Sequence, residues 1–269
     1  MAGILILLAW VAGCSSDQSP DSHPSSAFSD YPEAEREITF DLGNNIKMEL
    51  VLIPPGSFRM GDRKGQDDEK PVHRVTITKP FYLGKYEVTQ EQWEAVMGTN
   101  PSHFKGAKNP VECVSWHDCR SFLDKLNHKF KDSEVTFRLP TEAEWEYACR
   151  AGSTTRWSFG DDPESMTEYG WFRANCDSST HPAGQKKPNP WGLYDMYGNV
   201  YEWCSDWYAD DYYRQSPKKD PAGPQSGSQK VIRGGCWCHD PMPCRSAVRC
   251  GLEPSHGCVD EGLRVVVPR

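Results

Sequence analysis

The sequence predicts a single α+β domain with modest regular structure and long ordered loops. Gly 22 and Pro 21 punctuate a chain of 269 residues whose hydrophobic fraction is only 37%. The 10 Trp, 11 Tyr and 10 Phe must therefore supply much of the buried surface, and large rings can cover irregular backbone that short aliphatic side chains cannot. Short strand-like and helix-like runs fill the first half, whereas residues 151–229 carry almost no periodic signal. A loop region of that length inside a compact domain is uncommon unless it is functional or tied down internally.

The elements follow in order. The folded part begins near Ile38. Met48 to Ile53 reads as a strand ended by Pro54-Pro55-Gly56, and the alternating Val72 to Ile77 reads as another. The polar stretch Gly61 to Lys70 between them is expected to be an exposed loop. Three helices carry start signals. Thr89-Gln90-Glu91-Gln92 opens the first, which Gly98 stops. Ser115-Trp116-His117-Asp118 opens the second, where Trp116, Cys119, Leu123, Leu126 and Phe130 recur at three or four residues. Thr141-Glu142-Ala143-Glu144 opens the third, with Gly152 just past its end. The last strand is expected over Leu263 to Val267.

Lys and Arg number 30 against 38 Asp and Glu, a net charge of −8 with no long run of one sign. This argues against a nucleic-acid partner. The apolar run Met1 to Val11 is too short to span a bilayer, which takes about 20 residues. It fits a secretory leader, and Val11-Ala12-Gly13-Cys14 resembles a bacterial lipobox. The expected organisation is a lipoprotein signal peptide over 1–13, a disordered tether over 14–36 rich in Ser, Pro and Asp, and the domain over 37–269. Lipidated Cys14 would hold the domain to a membrane, outside the cytoplasm, in a bacterial cell envelope. The remaining cysteines would then mature where disulfides persist.

The densest chemistry lies in Val231 to Cys250. A β-branched pair, Val231 and Ile232, enters it, Gly234-Gly235 permits a sharp turn, and Cys236, Cys238, Cys244 and Cys250 follow with His239, Pro241 and Pro243 among them. Thiolates can be nucleophiles, soft-metal ligands or disulfide halves.

Several motifs stand in a fixed order: Leu52 to Gly61 (LIPPGSFRMG), Tyr86 to Thr89 (YEVT), Phe137 to Ala148 (FRLPTEAEWEYA), Gly192 to Trp203 (GLYDMYGNVYEW), Arg233 to Trp237 (RGGCW) and Gly262 to Arg264 (GLR). Together they resemble the formylglycine-generating enzyme, or sulfatase-modifying factor, family. The resemblance implies a loop-rich fold related in shape to C-type lectins. It also implies, for active members, oxidation of a sulfatase cysteine to formylglycine by O₂ and copper(I), read from a Cys-x-Pro-x-Arg peptide. Two thiolates in a Cys-x4-Cys spacing hold the copper in those members, and calcium ions stiffen loops away from the chemistry.

Carried onto this chain, the copper positions fall on Cys238, His239 and Cys244, although the Cys-x4-Cys spacing is absent. The calcium positions fall on Asp195 and the carbonyls of Met196, Gly198 and Val200, with Asn175 as part of a second site. The resemblance further implies a Cys149–Cys250 bridge. Cys236, Cys238, Cys244 and Cys250 are expected to be paired, among themselves or with Cys149, Cys204 or Cys258. Two readings of function stand side by side. One is a binding module that engages an envelope peptide, protein or glycan without oxidising it. The other is a copper-dependent oxidase acting on a sulfatase cysteine. A third, iron-dependent sulfoxide formation, finds no His-x3-His pair among the 8 histidines.

Overall fold

A computed structural model describes residues 28–269. The leader, Cys14 and most of the expected tether lie outside the described residues. Among the described residues no helix is long and apolar enough to cross a membrane.

The domain starts earlier than expected. Phe28 is buried edge-on against Trp191, with ring centroids 6.2 Å apart. The Arg36 guanidinium folds back to the carbonyls of Phe28 and Tyr31, both at 3.2 Å. Tyr82 donates to the Glu35 carbonyl at 2.9 Å. Residues 28–36 thus touch the domain through Phe28, Tyr31 and Arg36, while Pro32 to Glu35 stay exposed. One aromatic in a polar stretch is enough to dock it, and composition averaged over the stretch hides that ring.

Strands β1 (Glu37–Gly43) and β2 (Ile46–Ile53) form a hairpin. Its turn residues Asn44 and Asn45 both hold positive φ, at 54° and 63°, the conformation that asparagine tolerates best after glycine. Next, β3 (Gly56–Met60) and β4 (His73–Ile77) make a separate two-stranded ribbon. Strand β5 (Phe81–Gly84) pairs with β2 on one side and with the C-terminal strand on the other, closing the sheet around the chain ends.

The three capped helices lie where their start signals place them: α1 Gln90–Met97, α2 Trp116–Lys129 and α3 Glu142–Arg150. Reciprocal capping boxes at Thr89, Ser115 and Thr141 satisfy N–H groups that a helix start leaves without partners. Gly98 ends α1 in the left-handed conformation. Trp93 of α1 stacks flat on Phe122 of α2 at 4.9 Å. A single-turn helix, α4 (Met166–Tyr169), follows.

Strand β6 (Tyr201–Trp207) lies inside the stretch that shows no periodicity. Its residues are buried on both faces over most of its length, so the alternation that reveals a half-exposed strand is missing. It sits between β7 (Lys230–Arg233) and β9 (Glu261–Gly262), with β8 (Cys250–Leu252) on the far edge of β7. The final strand, β10, is Val266–Pro268, shorter and later than the expected Leu263 to Val267. In the skipped part, Arg264 is fully buried and its guanidinium is taken up by Glu202, the Gly84 carbonyl and the Tyr194 carbonyl.

The β8-β7-β6-β9 sheet positions the chemistry. The turn at 195–200 feeds β6, and the cysteine loop at 234–249 joins the adjacent antiparallel strands β7 and β8. Helix α3 lies against this sheet, its Trp145 indole N–H donating to Glu202 of β6 at 2.7 Å.

Candidate functional site

The cysteine loop leaves β7 through Gly234 and Gly235, at φ 99° and 75°. Gly235 is required here by space as well as by φ. A Cβ on it would stand 2.4 Å from the Cys244 sulfur and 3.0 Å from the Cys244 Cα. The far limb of the loop, a 3-10 turn over Met242–Cys244, is thus laid directly on the near limb.

This folding brings together Cys236, Cys238 and His239, whose ligand atoms all lie within 4.8 Å of one another. The Cys236 and Cys238 sulfurs are 2.8 Å apart. Their shared hydrogen bond, joined by burial, raises the Cys236 thiol, and the same hydrogen bond lowers Cys238 against the effect of burial, so Cys238 is the first of the two to become a thiolate. Burial lowers His239 below its ordinary value, favouring the neutral imidazole that a metal needs. Its Nδ1 lies 3.2 Å from the Tyr201 hydroxyl of β6. Arg173 steadies the same corner, donating to the Cys238 carbonyl from Nε and to the His239 carbonyl from its backbone, both at 2.9 Å.

Cys244 does not join them. It is fully buried, its sulfur directed to the Asp240 carbonyl at 3.6 Å, and burial pushes its thiol up to about 12. The sulfur that neighbours Cys238 is that of Cys236, which sequence reasoning left out of the ligand set. Its signal was the compact Cys-x-Cys-His run. The ten described cysteines are unbridged. Cys149 and Cys250, the expected bridge, point to different partners: Cys149 toward the Met196 carbonyl at 3.9 Å and Cys250 toward the Tyr201 hydroxyl at 3.9 Å.

Beyond Cys244, two arginines anchor the loop. Arg245 forms a fork with the buried Glu69, at 2.7 and 2.9 Å, and reaches Asp62 at 2.8 Å. Arg249 forks onto Glu142 at 2.7 and 2.8 Å. Bidentate arginine–carboxylate pairs fix geometry as well as charge. Glu69 belongs to the stretch expected to be an exposed loop, yet only 1% of it is accessible. Beside these anchors opens a cavity of about 490 Å³ lined by Arg59, Arg63, Lys64, Arg150 and Arg156, with Asp62 and Asp161.

The second feature is the turn before β6. Asp195 is buried in a left-handed conformation at φ 56°. One carboxylate oxygen accepts from the Gly184 N–H at 2.7 Å, while the other is buried with no hydrogen-bond partner among the described residues. Burial pushes this carboxyl up to about 6, against the pull of the Gly184 N–H and Arg264. Glu87, fully buried nearby, is also raised, by burial and then by Asp195. It accepts from Asn199 Nδ2 at 2.7 Å and from the Val200 N–H at 3.1 Å. An orphaned carboxylate oxygen within an acidic, electron-rich turn fits a hard cation. Asn175 contributes less, because both ends of its amide are used within its own turn, by the Phe172 N–H at 2.8 Å and the Gly170 carbonyl at 3.0 Å.

Residues 41–269 match the family described as "Sulfatase-modifying factor enzyme 1-like domain". The chain belongs to this family. Its relatives differ in what they are called. It is 35% identical over 237 residues to serine/threonine-protein kinase pkn1 of Chlamydia pneumoniae, covering 77% of this chain and 35% of that protein. The chain thus spans about a third of that kinase's length. It is 32% identical over 269 residues to chaperone protein LppX of Paenibacillus barcinonensis, covering 82% of this chain and 90% of that one. To the formylglycine-generating enzyme of Streptomyces coelicolor it is 31% identical over 261 residues, covering 71% and 79%. Among solved structures it superimposes on Treponema denticola variable protein 1 with TM-score 0.81 at 33% identity, covering 87% of this chain and 99% of that one.

Within the sulfatase-modifying factor family, then, this chain keeps the frame. Glu142 and Glu146 of the Thr-Glu-Ala-Glu-Trp-Glu motif stand one helical turn apart and receive Arg249 and Arg233, respectively. Glu202 of the Tyr-Glu-Trp motif receives Arg264 at 2.7 Å. These motif residues hold the loops in place, and their partners lie too far off in sequence to be matched by spacing.

Proposed function

We propose that the domain is a binding member of the sulfatase-modifying factor family, held outside the cytoplasm by lipidated Cys14, that engages an envelope peptide, protein or glycan without oxidising it. The observation that carries this reading is that Cys244 stands outside the cluster of Cys236, Cys238 and His239. Of the two positions that would share a copper ion, Cys238 belongs to that cluster, whereas the Cys244 sulfur is directed to the Asp240 carbonyl and its thiol is buried and kept protonated. The basic cavity beside Arg245 supports a ligand with negative charge.

The oxidase reading retains one specific support. Cys236, Cys238 and His239 form a compact set of soft donors that suits copper(I). Copper bound there would supply O₂ chemistry, with Cys238 as the thiolate ligand. Titration of copper(I) into the reduced protein, followed by incubation with a Cys-x-Pro-x-Arg peptide under O₂, separates the two. The expected result is no conversion of the peptide cysteine. Formylglycine in the peptide, lost in Cys238→Ser, restores the oxidase.

Anchoring has its own test. The parent protein should fractionate with membranes through the acyl groups on Cys14, since two lipid signals anchor stably where one chain is marginal. A Cys14→Ser protein should be released without detergent, and its retention on the membrane would refute the anchor.

Calcium is the remaining part of the proposal. The Asp195 carboxylate, with the carbonyls of Met196, Gly198 and Val200, would hold one Ca²⁺. Bound to the native state alone, the ion stabilises by about 2.7 kcal/mol at a hundredfold excess over Kd. The melting temperature should rise with calcium in the parent protein and stay flat in Asp195→Ala. A flat response in the parent removes this site.

A further inference from the structure

Between β8 and β9 the chain makes a tight turn that the loop chemistry described above does not use. Its three chemistry-bearing side chains converge: a ring nitrogen of His256, the Cys258 sulfur and a Glu261 carboxylate oxygen all lie within 4.8 Å of one another. Hydrogen bonds build the turn from within. The Cys258 N–H donates to Glu261 Oε2 at 2.6 Å, and the His256 N–H to the Glu253 carbonyl at 2.9 Å. His256 Nε2 stands 3.5 Å from Glu261 Oε1.

The turn is also held from outside. The Cys113 N–H donates to the Cys258 carbonyl at 2.8 Å. Gly257 lies so close to the chain before α2 that a Cβ on it would stand 3.0 Å from the Ser115 nitrogen. Glu261 belongs to β9, paired in parallel with Tyr201 of β6, and its side chain is only 4% exposed. One donor is thus set in the sheet and two are presented to solvent from a turn with little freedom. Ligands held on a rigid frame lose little entropy when an ion binds.

We propose that His256, Cys258 and Glu261 form a zinc site, with the fourth coordination position open to solvent. An imidazole nitrogen, a thiolate and a carboxylate are the donor types zinc takes, and three protein ligands with one open position is a recurrent zinc arrangement. The charges balance, because one thiolate and one carboxylate neutralise the dication. The adjacent Cys113 stays outside the set. The site shares no residue with the Cys236, Cys238 and His239 cluster and does not depend on whether the domain oxidises or binds.

Cobalt(II) is the probe, because it reports thiolate ligation by a charge-transfer band in the near ultraviolet. The full chain, reduced and freed of metal, is titrated with Co²⁺ and then with Zn²⁺. The expected result is a band that zinc abolishes, that persists in the Cys236→Ser/Cys238→Ser double variant and that is lost in both His256→Ala and Cys258→Ser. Because His256 and Cys258 are exposed, both single variants should melt with the parent in EDTA. Should Cys258→Ser melt lower there, His256→Ala alone decides. A band that survives in Cys258→Ser, no band in the parent, or a Cys113–Cys258 disulfide in the native protein by mass mapping each overturns the assignment.

Discussion

Replacing Arg233 with Met lowers the stability of the domain by about 3 to 5 kcal/mol, the usual cost of leaving a buried carboxylate without its partner. Arg233 is wholly inaccessible on the last residue of β7. Its guanidinium donates to Glu146 and to the Val248 carbonyl, and Nε stands 3.5 Å from Glu142. The cation also lies 5.3 Å from the Trp145 ring centre. Methionine fills most of the volume but answers none of this charge. The loss should fall toward the lower end of the range because Glu146 keeps Arg150 at 2.8 Å and the Gly61 N–H at 2.9 Å.

The pH dependence follows from Glu146. Burial pushes its carboxyl up, but Arg150 and Arg233 outweigh burial and hold it below its ordinary value. A carboxyl depressed in the folded state contributes stability above its unfolded pKa and loses it as pH falls through the folded one. The gap between parent and variant is therefore full at neutral pH and narrows in acid, below the usual carboxylate range. Urea midpoints at neutral and acidic pH, with unchanged slope, measure it. A neutral-pH loss below about 1 kcal/mol, ordinary for an unremarkable site, would show that the pair is not what holds the loop to α3.

Gly198→Ala is expected to cost between about 2 and 5 kcal/mol, combining overpacking with the strain of a left-handed residue. Gly198 sits at φ 102°, and a Cβ there would lie 2.1 Å from the Trp171 carbonyl oxygen. That oxygen cannot swing aside, since it already accepts from the Asn199 N–H at 2.8 Å. On the other side the Gly198 N–H donates to the Gly234 carbonyl at 2.9 Å, at the mouth of the cysteine loop. Any shift is therefore passed both to the Asp195 turn and to the loop. Gly192→Ala is the matched control. Gly192 also has positive φ, at 83°, but nothing stands within 4 Å of its would-be Cβ. Its cost should be the conformational strain alone, about 1 to 2 kcal/mol. Equal losses in the two variants would mean that crowding at Trp171 contributes nothing.

Local chemistry was legible where it is decided locally. The capping boxes at Thr89, Ser115 and Thr141 located three helices, because a cap is satisfied within one turn of its own residue. The alternation of His73–Ile77 located a strand with one half-open face. The ordered motifs from Leu52 to Arg264 identified the family, and the match over residues 41–269 bears this out. Strand β6 was hidden because burial on both faces erases alternation. Phe28 was hidden because its partner, Trp191, lies far along the chain.

The sequence by itself determined the fold class, the family and the residue types available to the two candidate sites, since each depends on composition or on neighbours within a few positions. Only the tertiary structure decided which of those residues meet. Gly235 lets Cys244 pack over the near limb of the loop, which buries that thiol and leaves Cys236 as the neighbour of Cys238. Glu69 and Glu142 hold the arginines that set the loop's far limb, across separations of 176 and 107 residues. Burial of charge is what makes those pairings selective: a carboxylate removed from water must find a cation, and only the closed fold determines which cation is within reach.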